Sequence, residues 1–218
     1  MYKRQLIGYA ATLLLLFPLF HMIADAANPA LAEATRRSPV VVAGSDCSYN
    51  PFAKVQQSGC GKLLHHFATR GVSYSTISAR APAVSIGGER LGDITAAGLD
   101  VGLAKAGYRL EPVVPSGGSL VQIMIALSLL GMLAGLTYGP AAALFAELFP
   151  SRVRYSSLSI PYHIGTGYFG GFLPFVSQYI IATTGDPFAG LWYTFAVTAV
   201  ALIVTLVWLP ETVGKPLD

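Results

Sequence analysis

The chain has 218 residues, 53% of them hydrophobic and 11% charged, and a net charge of +3. Soluble domains carry about 25% charged residues, so this composition excludes a protein that is water-soluble along its whole length. The small, scattered positive charge points to no nucleic-acid partner, which calls for a basic patch or stripe.

In chain order, Met1–Gln5 (MYKRQ) translates GTG TAT AAG AGA CAG, the end of a transposon sequence used to fragment DNA, and is read as an assembly scar. Leu6 to Ile23 is uncharged and long enough to span a membrane, so residues 6–25 are predicted as a transmembrane helix. A signal peptide is the competing reading, because it too combines a basic start with an apolar run; the length of the run, Pro18 and His21 argue against it. With Lys3 and Arg4 inside and Asp25 outside, this span runs outward.

Residues 26–118 change character: nine of the fourteen Lys and Arg residues fall between Ala26 and Ser119, among prolines, glycines and polar residues. Structureless connections longer than about 15 residues are uncommon, so this segment is predicted to be a small folded α/β insert facing water. Pro39–Ala43 reads as a buried strand, Cys60–Thr69 as a short helix and Val72–Ala79 as an alternating strand. Ala83–Leu91 reads as a hairpin around Gly87 and Gly88, a turn rather than a phosphate cradle, and Ile94–Ala106 as a second helix.

Cys47 and Cys60 are the two cysteines, and both lie in this insert. On the extracytoplasmic side disulfides persist, and the pair is predicted to bond; closing a loop of about fourteen residues contributes roughly 3 kcal/mol in the chain-entropy model. The rival is a metal site of Cys47, Cys60, His65 and His66. Adjacent histidines and separated cysteines do not match the paired spacings of structural zinc, so no metal is assigned.

Leu120 to Phe149 holds one charge, Glu147, and at about 1.5 Å per residue outlasts a hydrocarbon core roughly 30 Å thick. Residues 119–149 are therefore a predicted span, stopped by Pro150 and followed by a basic loop, 150–157, containing Arg152 and Arg154. That loop lies in the cytoplasm by the positive-inside rule, and if the basic start is a scar it sets the orientation alone. Residues 158–182 form the next predicted span, where Gly167 and Gly171 make a small-xxx-small pair suited to close helix packing and Pro161 and Pro174 are possible kinks. An outer turn follows at 183–190, then a last span at 191–209 flanked by Trp192 and Trp208, and a cytoplasmic tail at 210–218. The fold class is thus an all-α membrane protein of four transmembrane helices with a small α/β extracytoplasmic insert.

The stretch YGPAAALFAELFPSRVRYSSLSIPYHIG, with the glycine-rich helix after it and a terminal span ending in LPET, resembles the last three helices of the major facilitator superfamily, in its metabolite:proton symporter branch. The likeness covers Leu120 to Thr212, and Leu6 to Asn28 is similar to that family's ninth helix. The resemblance implies a twelve-helix transporter of which this chain carries helices nine to twelve, the missing N-terminal helices of the same transporter being its partner. It implies symport of a proton with an organic acid, shikimate, or proline and betaine, by alternating access, in the cell inner (plasma) membrane.

By the same resemblance the helix from Leu120 lines the substrate cavity and the one from Ser159 flanks it. Gln122, Tyr138, Tyr162 and His163 become candidates for the substrate or proton pathway, since a polar group at membrane depth is costly unless satisfied. His163 suits binding of a proton or a carboxylate substrate, since imidazole is the side chain suited to a switch at physiological pH, yet it also fits a histidine wetted at the cytoplasmic mouth. Tyr138 serves equally as donor or as packing. Glu147, Arg152 and Arg154 match the acid and bases of the family's inner gate, or serve as topology anchors. No Ser-His-Asp signature, phosphate loop or His pair at helical spacing occurs, so neither an enzyme nor a cofactor is assigned. The alternative function is a membrane-anchored extracytoplasmic binding or interaction module.

Overall fold

The computed structural model describes residues 2–111 and 113–209, with side chains from residue 5 onward. The expected tail, 210–218, and the side chains of Lys3 and Arg4 lie outside the described residues. The chain divides into two compact units, one of Met1–His21, Met124–Val176 and Leu191–Asp218, the other of Met22–Ile123 and Ser177–Gly190.

The first unit is helical. Among the described residues, three helices are long and apolar enough to cross a membrane: α1 (Tyr2–Ala27), α5 (Gly117–Leu148) and α8 (Leu191–Trp208). Their sequences are apolar all round, as hydrocarbon surroundings demand and water does not allow. α1 runs through Pro18 and α5 through Pro140 without ending. Close approach occurs at Gly8 of α1, where a Cβ would lie 3.1 Å from the Leu136 carbonyl carbon and the Thr137 methyl of α5. Phe17 of α1 packs its ring on Trp192 at 4.9 Å and Phe195 at 6.1 Å, which ties α1 to α8.

The segment expected as one span at 158–182 stays helical but changes pitch along its length. α6 (Arg154–Ile164) starts earlier than expected, a π-helical turn covers Gly165–Gly170, and α7 (Leu173–Thr184) follows. The physical reason is local: Pro174 has no N–H for the Gly170 carbonyl, and glycines hold the intervening backbone loosely. The Gly171 N–H accordingly reaches back to the Thr166 carbonyl at 2.9 Å and to Gly167 at 3.1 Å.

The second unit holds the α/β module. α2 (Pro29–Arg37), which the sequence reading did not anticipate, is separated from α1 by Asn28 alone. Asn28 caps it by accepting from the Leu31 N–H at 3.1 Å, Pro29 occupies the first helical position, and Arg36 pairs with Asp25 across the corner at 2.5 Å. A four-stranded sheet follows in the order β2-β1-β3-β4, with β1 (Val40–Gly44) parallel to β2 (Tyr74–Ser78) and antiparallel to β3 (Ala83–Ile86), and β4 (Glu89–Arg90) closing the edge. Gly87 and Gly88 take φ of 60° and 87°, the paired positive values that a two-residue hairpin turn requires.

α3 (Gly59–Thr69) connects the parallel pair and α4 (Ala96–Lys105) follows the hairpin. Ser58 caps α3 through the Gly61 N–H at 2.9 Å, and Thr95 caps α4 through the Gly98 N–H at 3.3 Å. One face of each helix meets the sheet, so the core gathers Val40, Val42, Leu64, Phe67, Val84, Leu99 and Leu103. Tyr108 ends the module by donating its hydroxyl to the Ser38 carbonyl at 2.8 Å, and burial pushes its pKa up. The strands expected at Pro39–Ala43 and Val72–Ala79, the helices expected at Cys60–Thr69 and Ile94–Ala106 and the hairpin all have counterparts here, each shifted by a residue or two.

Candidate functional site

Tyr138 lies on α5, two residues before Pro140, and is exposed. Tyr162 and His163 lie in the last turn of α6, also exposed, with their rings 5.8 Å apart in an edge-on arrangement. Among the described residues no hydrogen bond or ring contact joins Tyr138 to Tyr162 or His163. Gln122 is exposed near the start of α5, in the stretch of that helix assigned to the other unit.

The feature that sequence reasoning missed is the π-helical turn directly after Tyr162 and His163. Wide turns of this kind are rare and concentrate where a helix serves a function, because they offset the backbone ladder and leave carbonyls to be satisfied from outside. Thr166 donates its hydroxyl back to the Tyr162 carbonyl at 2.8 Å, and Tyr193 of α8 donates to the Phe169 carbonyl at 3.1 Å. The available signal was the run GTGYFGG between two prolines. Among the described residues, a Cβ at Gly165, Gly167 or Gly170 would meet nothing within 4 Å. At Gly171 the near neighbour is the Gly167 carbonyl of its own helix.

At the other end of α6, Glu147 is half-buried in the last turn of α5, Arg152 is exposed in the turn and Arg154 opens α6. Arg154 Nε donates to the Phe149 carbonyl at 3.2 Å. A cation at that point satisfies one of the carbonyls an ending helix leaves open and suits the negative end of its dipole.

In the module, Cys47 and Cys60 are joined by a disulfide with Cα atoms 4.8 Å apart. The bridge lies over the end of β1: a Cβ at Gly44 would come within 2.7 Å of Cys47 Sγ and 3.1 Å of Cys60 Sγ. The two histidines next in line turn to different partners. His65 packs beside the Tyr49 ring at 5.7 Å, whereas His66 Nε2 meets Asp100 Oδ1 at 2.8 Å. Asp100 also takes Arg70 Nε and Nη2 at 2.8 and 2.9 Å, so one carboxylate of α4 clamps two side chains from the C-terminal end of α3 and the residue after it. Burial pushes the Asp100 carboxyl up, but the hydrogen bonds and charges of Arg70 and His66 outweigh it and hold the group below the ordinary carboxylate value. A cleft of about 620 Å³ lies in this unit between the β3–β4 hairpin and α4.

Known proteins match part of the chain. The ectoine/proline transporter ProP of Corynebacterium glutamicum is 32% identical over 100 residues, 46% of this chain and 20% of that protein. The chain is distantly similar to metabolite transporters. The inner membrane metabolite transport protein YhjE of Escherichia coli is 33% identical over 101 residues, 45% of this chain and 22% of YhjE. A Staphylococcus aureus (strain COL) protein named for proline/betaine transport is 30% identical over 99 residues, 45% of this chain and 21% of its own length. The similar region thus spans about a fifth of the curated relatives it matches. No family model matches the chain, and no solved structure matches it. The relatives are transporters rather than enzymes, and with the three apolar helices they support a membrane location.

Proposed function

We propose that this chain is the C-terminal part of a major facilitator transporter of the metabolite:proton symporter branch, carrying a small solute across the inner membrane by alternating access. The observation that carries the reading is the similarity to ectoine/proline and other metabolite transporters in a chain whose apolar helices suit a bilayer. Such transporters place solute and ion near the bilayer midplane, at the interface between helical repeats. The π-helical turn between α6 and α7, just after Tyr162 and His163, is the local irregularity that supports a site there. The pathway residues in this reading are Gln122, Tyr138, Tyr162 and His163, with Glu147, Arg152 and Arg154 at the cytoplasmic gate and residues 26–118 outside the cytoplasm. The cargo is a zwitterionic or acidic solute of the proline, betaine or ectoine kind, by analogy with the names of the relatives.

The test is uptake of labelled proline, betaine, ectoine, shikimate and organic acids by cells expressing the complete gene, with and without a protonophore. Uptake of one solute that the protonophore abolishes is the expected result. Absence of uptake for all of them, with the protein present in the membrane, would replace this reading with that of a membrane-anchored binding module.

A further inference from the structure

The α/β module reaches a part of the chain more than a hundred residues away, the end of α7 and the turn that leads into α8. Tyr74, the first residue of β2, makes the contact twice. Its N–H donates to the Gly185 carbonyl at 3.2 Å, and its hydroxyl donates to the Ala182 carbonyl at 3.2 Å. The fit is close on both sides. Tyr74 and Ala182 are buried, and Gly185 takes a φ of 73° with its missing Cβ position 2.2 Å from the Tyr74 carbonyl oxygen and 2.4 Å from its ring. Any other residue at 185 would be strained in its backbone and would strike Tyr74.

The contact is also anchored behind Tyr74. Its ring lies 6.5 Å from that of Phe67, which is fully buried in the module core, and its backbone pairs with Val40 of β1. On the far side Gly185 N–H closes the end of α7 on the Ile181 carbonyl at 2.7 Å, and Ser177 of α7 donates to the Gly190 carbonyl at 3.2 Å. Segment Ser177–Gly190 accordingly belongs to the same compact unit as the module.

We propose that Tyr74 and Gly185 form a latch through which the module positions the outer end of α7 and so sets the rate of transport. The inference rests on the transport reading for its consequence, while the latch itself rests on the contacts alone. A movement of that end of α7 during the cycle must carry the folded module with it or break two hydrogen bonds and expose a buried tyrosine. Interfaces of this kind are two-state rather than continuously deformable, which suits them to control a population of conformers. Tyr74 is a positioning residue in this scheme and touches no solute.

The experiment uses the complete chain in proteoliposomes and two variants, Gly185→Ala, which forces the latch apart, and Tyr74→Phe, which removes the hydroxyl bond alone. Amide exchange at Tyr74 is expected to be slow in the wild type and to accelerate at least about tenfold in Gly185→Ala, while the β1–β3 amides stay protected. Initial uptake is expected to fall about threefold or more in Gly185→Ala and by a smaller factor in Tyr74→Phe, at equal protein in the membrane. A Tyr74 amide that stays protected in Gly185→Ala overturns the latch. Faster exchange with unchanged or faster uptake overturns its role in transport. A wild type that takes up no solute overturns the transport reading instead, and the exchange data then decide the latch by themselves.

Discussion

Phenylalanine, leucine and valine occupy opposite places in the two regions of this molecule. In the module Phe67, Leu103 and Val42 have no exposure at all, enclosed by a sheet and two helices. In the helices Leu14, Phe169, Val207 and Trp208 stand out from the surface, Leu14 at 75% and Trp208 at 73% exposure. The same side chains can be inside one region and outside the other because the two are built for different solvents. Water drives apolar area into a core, at roughly 25 cal/mol per Å² removed, whereas hydrocarbon exerts no such drive and leaves helix association to packing at small residues such as Gly8.

The largest test of that contrast is a pair of truncations. Phe67→Ala should cost the module about 3–5 kcal/mol and open it to trypsin in membrane vesicles, while Leu14→Ala, at an exposed position of α1, should leave the digestion pattern unchanged. Equal sensitivity of both would erase the distinction. Replacing Cys47 with serine should lower module stability by roughly 3 kcal/mol, read as a lower temperature of protease opening, and reductant should mimic the variant on wild-type protein.

A test on the helical side sharpens the comparison by function. His163→Ala in the complete transporter should reduce uptake about tenfold, near 1.4 kcal/mol of barrier, without affecting the module's protease resistance. Uptake that is unchanged in the variant would leave His163 as a wetted residue of the helix end.

The smallest expected effect concerns pH. The folded Asp100 carboxyl is held below its ordinary value, so its contribution to module stability is present above the unfolded pKa and is lost as pH falls through the folded one. Asp100→Asn should flatten the acid side of the stability profile. Tyr74 works at the opposite limb: burial, with a smaller effect from Tyr49, pushes its pKa from 10.0 up to about 12. Its contribution is therefore complete below pH 10 and declines as pH rises toward 12, a decline that Tyr74→Phe should remove.

The legible features were those governed by neighbours along the chain. Apolar runs matched to bilayer thickness marked α1, α5 and α8, the glycine pair marked the β3–β4 turn, and Pro150 with the arginines marked the end of α5. α2 was passed over although Asn28, Pro29 and the Arg36–Arg37 end signal a capped helix, because its nine residues bury little beyond Ala34. The π-helical turn was illegible for another reason: Pro161, Pro174 and the glycines announce an interruption, but its width depends on which carbonyls find donors, Thr166 and Tyr193 among them. Of the candidate pathway residues, Tyr162 and His163 adjoin through the backbone, and the positions of Gln122 and Tyr138 follow from α5 alone.

What the amino-acid order determined by itself is therefore a set of lengths and local choices: which segments suit hydrocarbon, where chains turn, which helices are capped. Each is decided by free-energy terms acting within a few residues. Tertiary structure alone decided that β1 runs parallel to β2 and antiparallel to β3, that α3 and α4 meet through Asp100, and that Tyr74 finds Gly185. Those pairings carry no periodicity and cost loop closure over tens of residues. They are won by burial and hydrogen bonding that exist only once the separate pieces have come together.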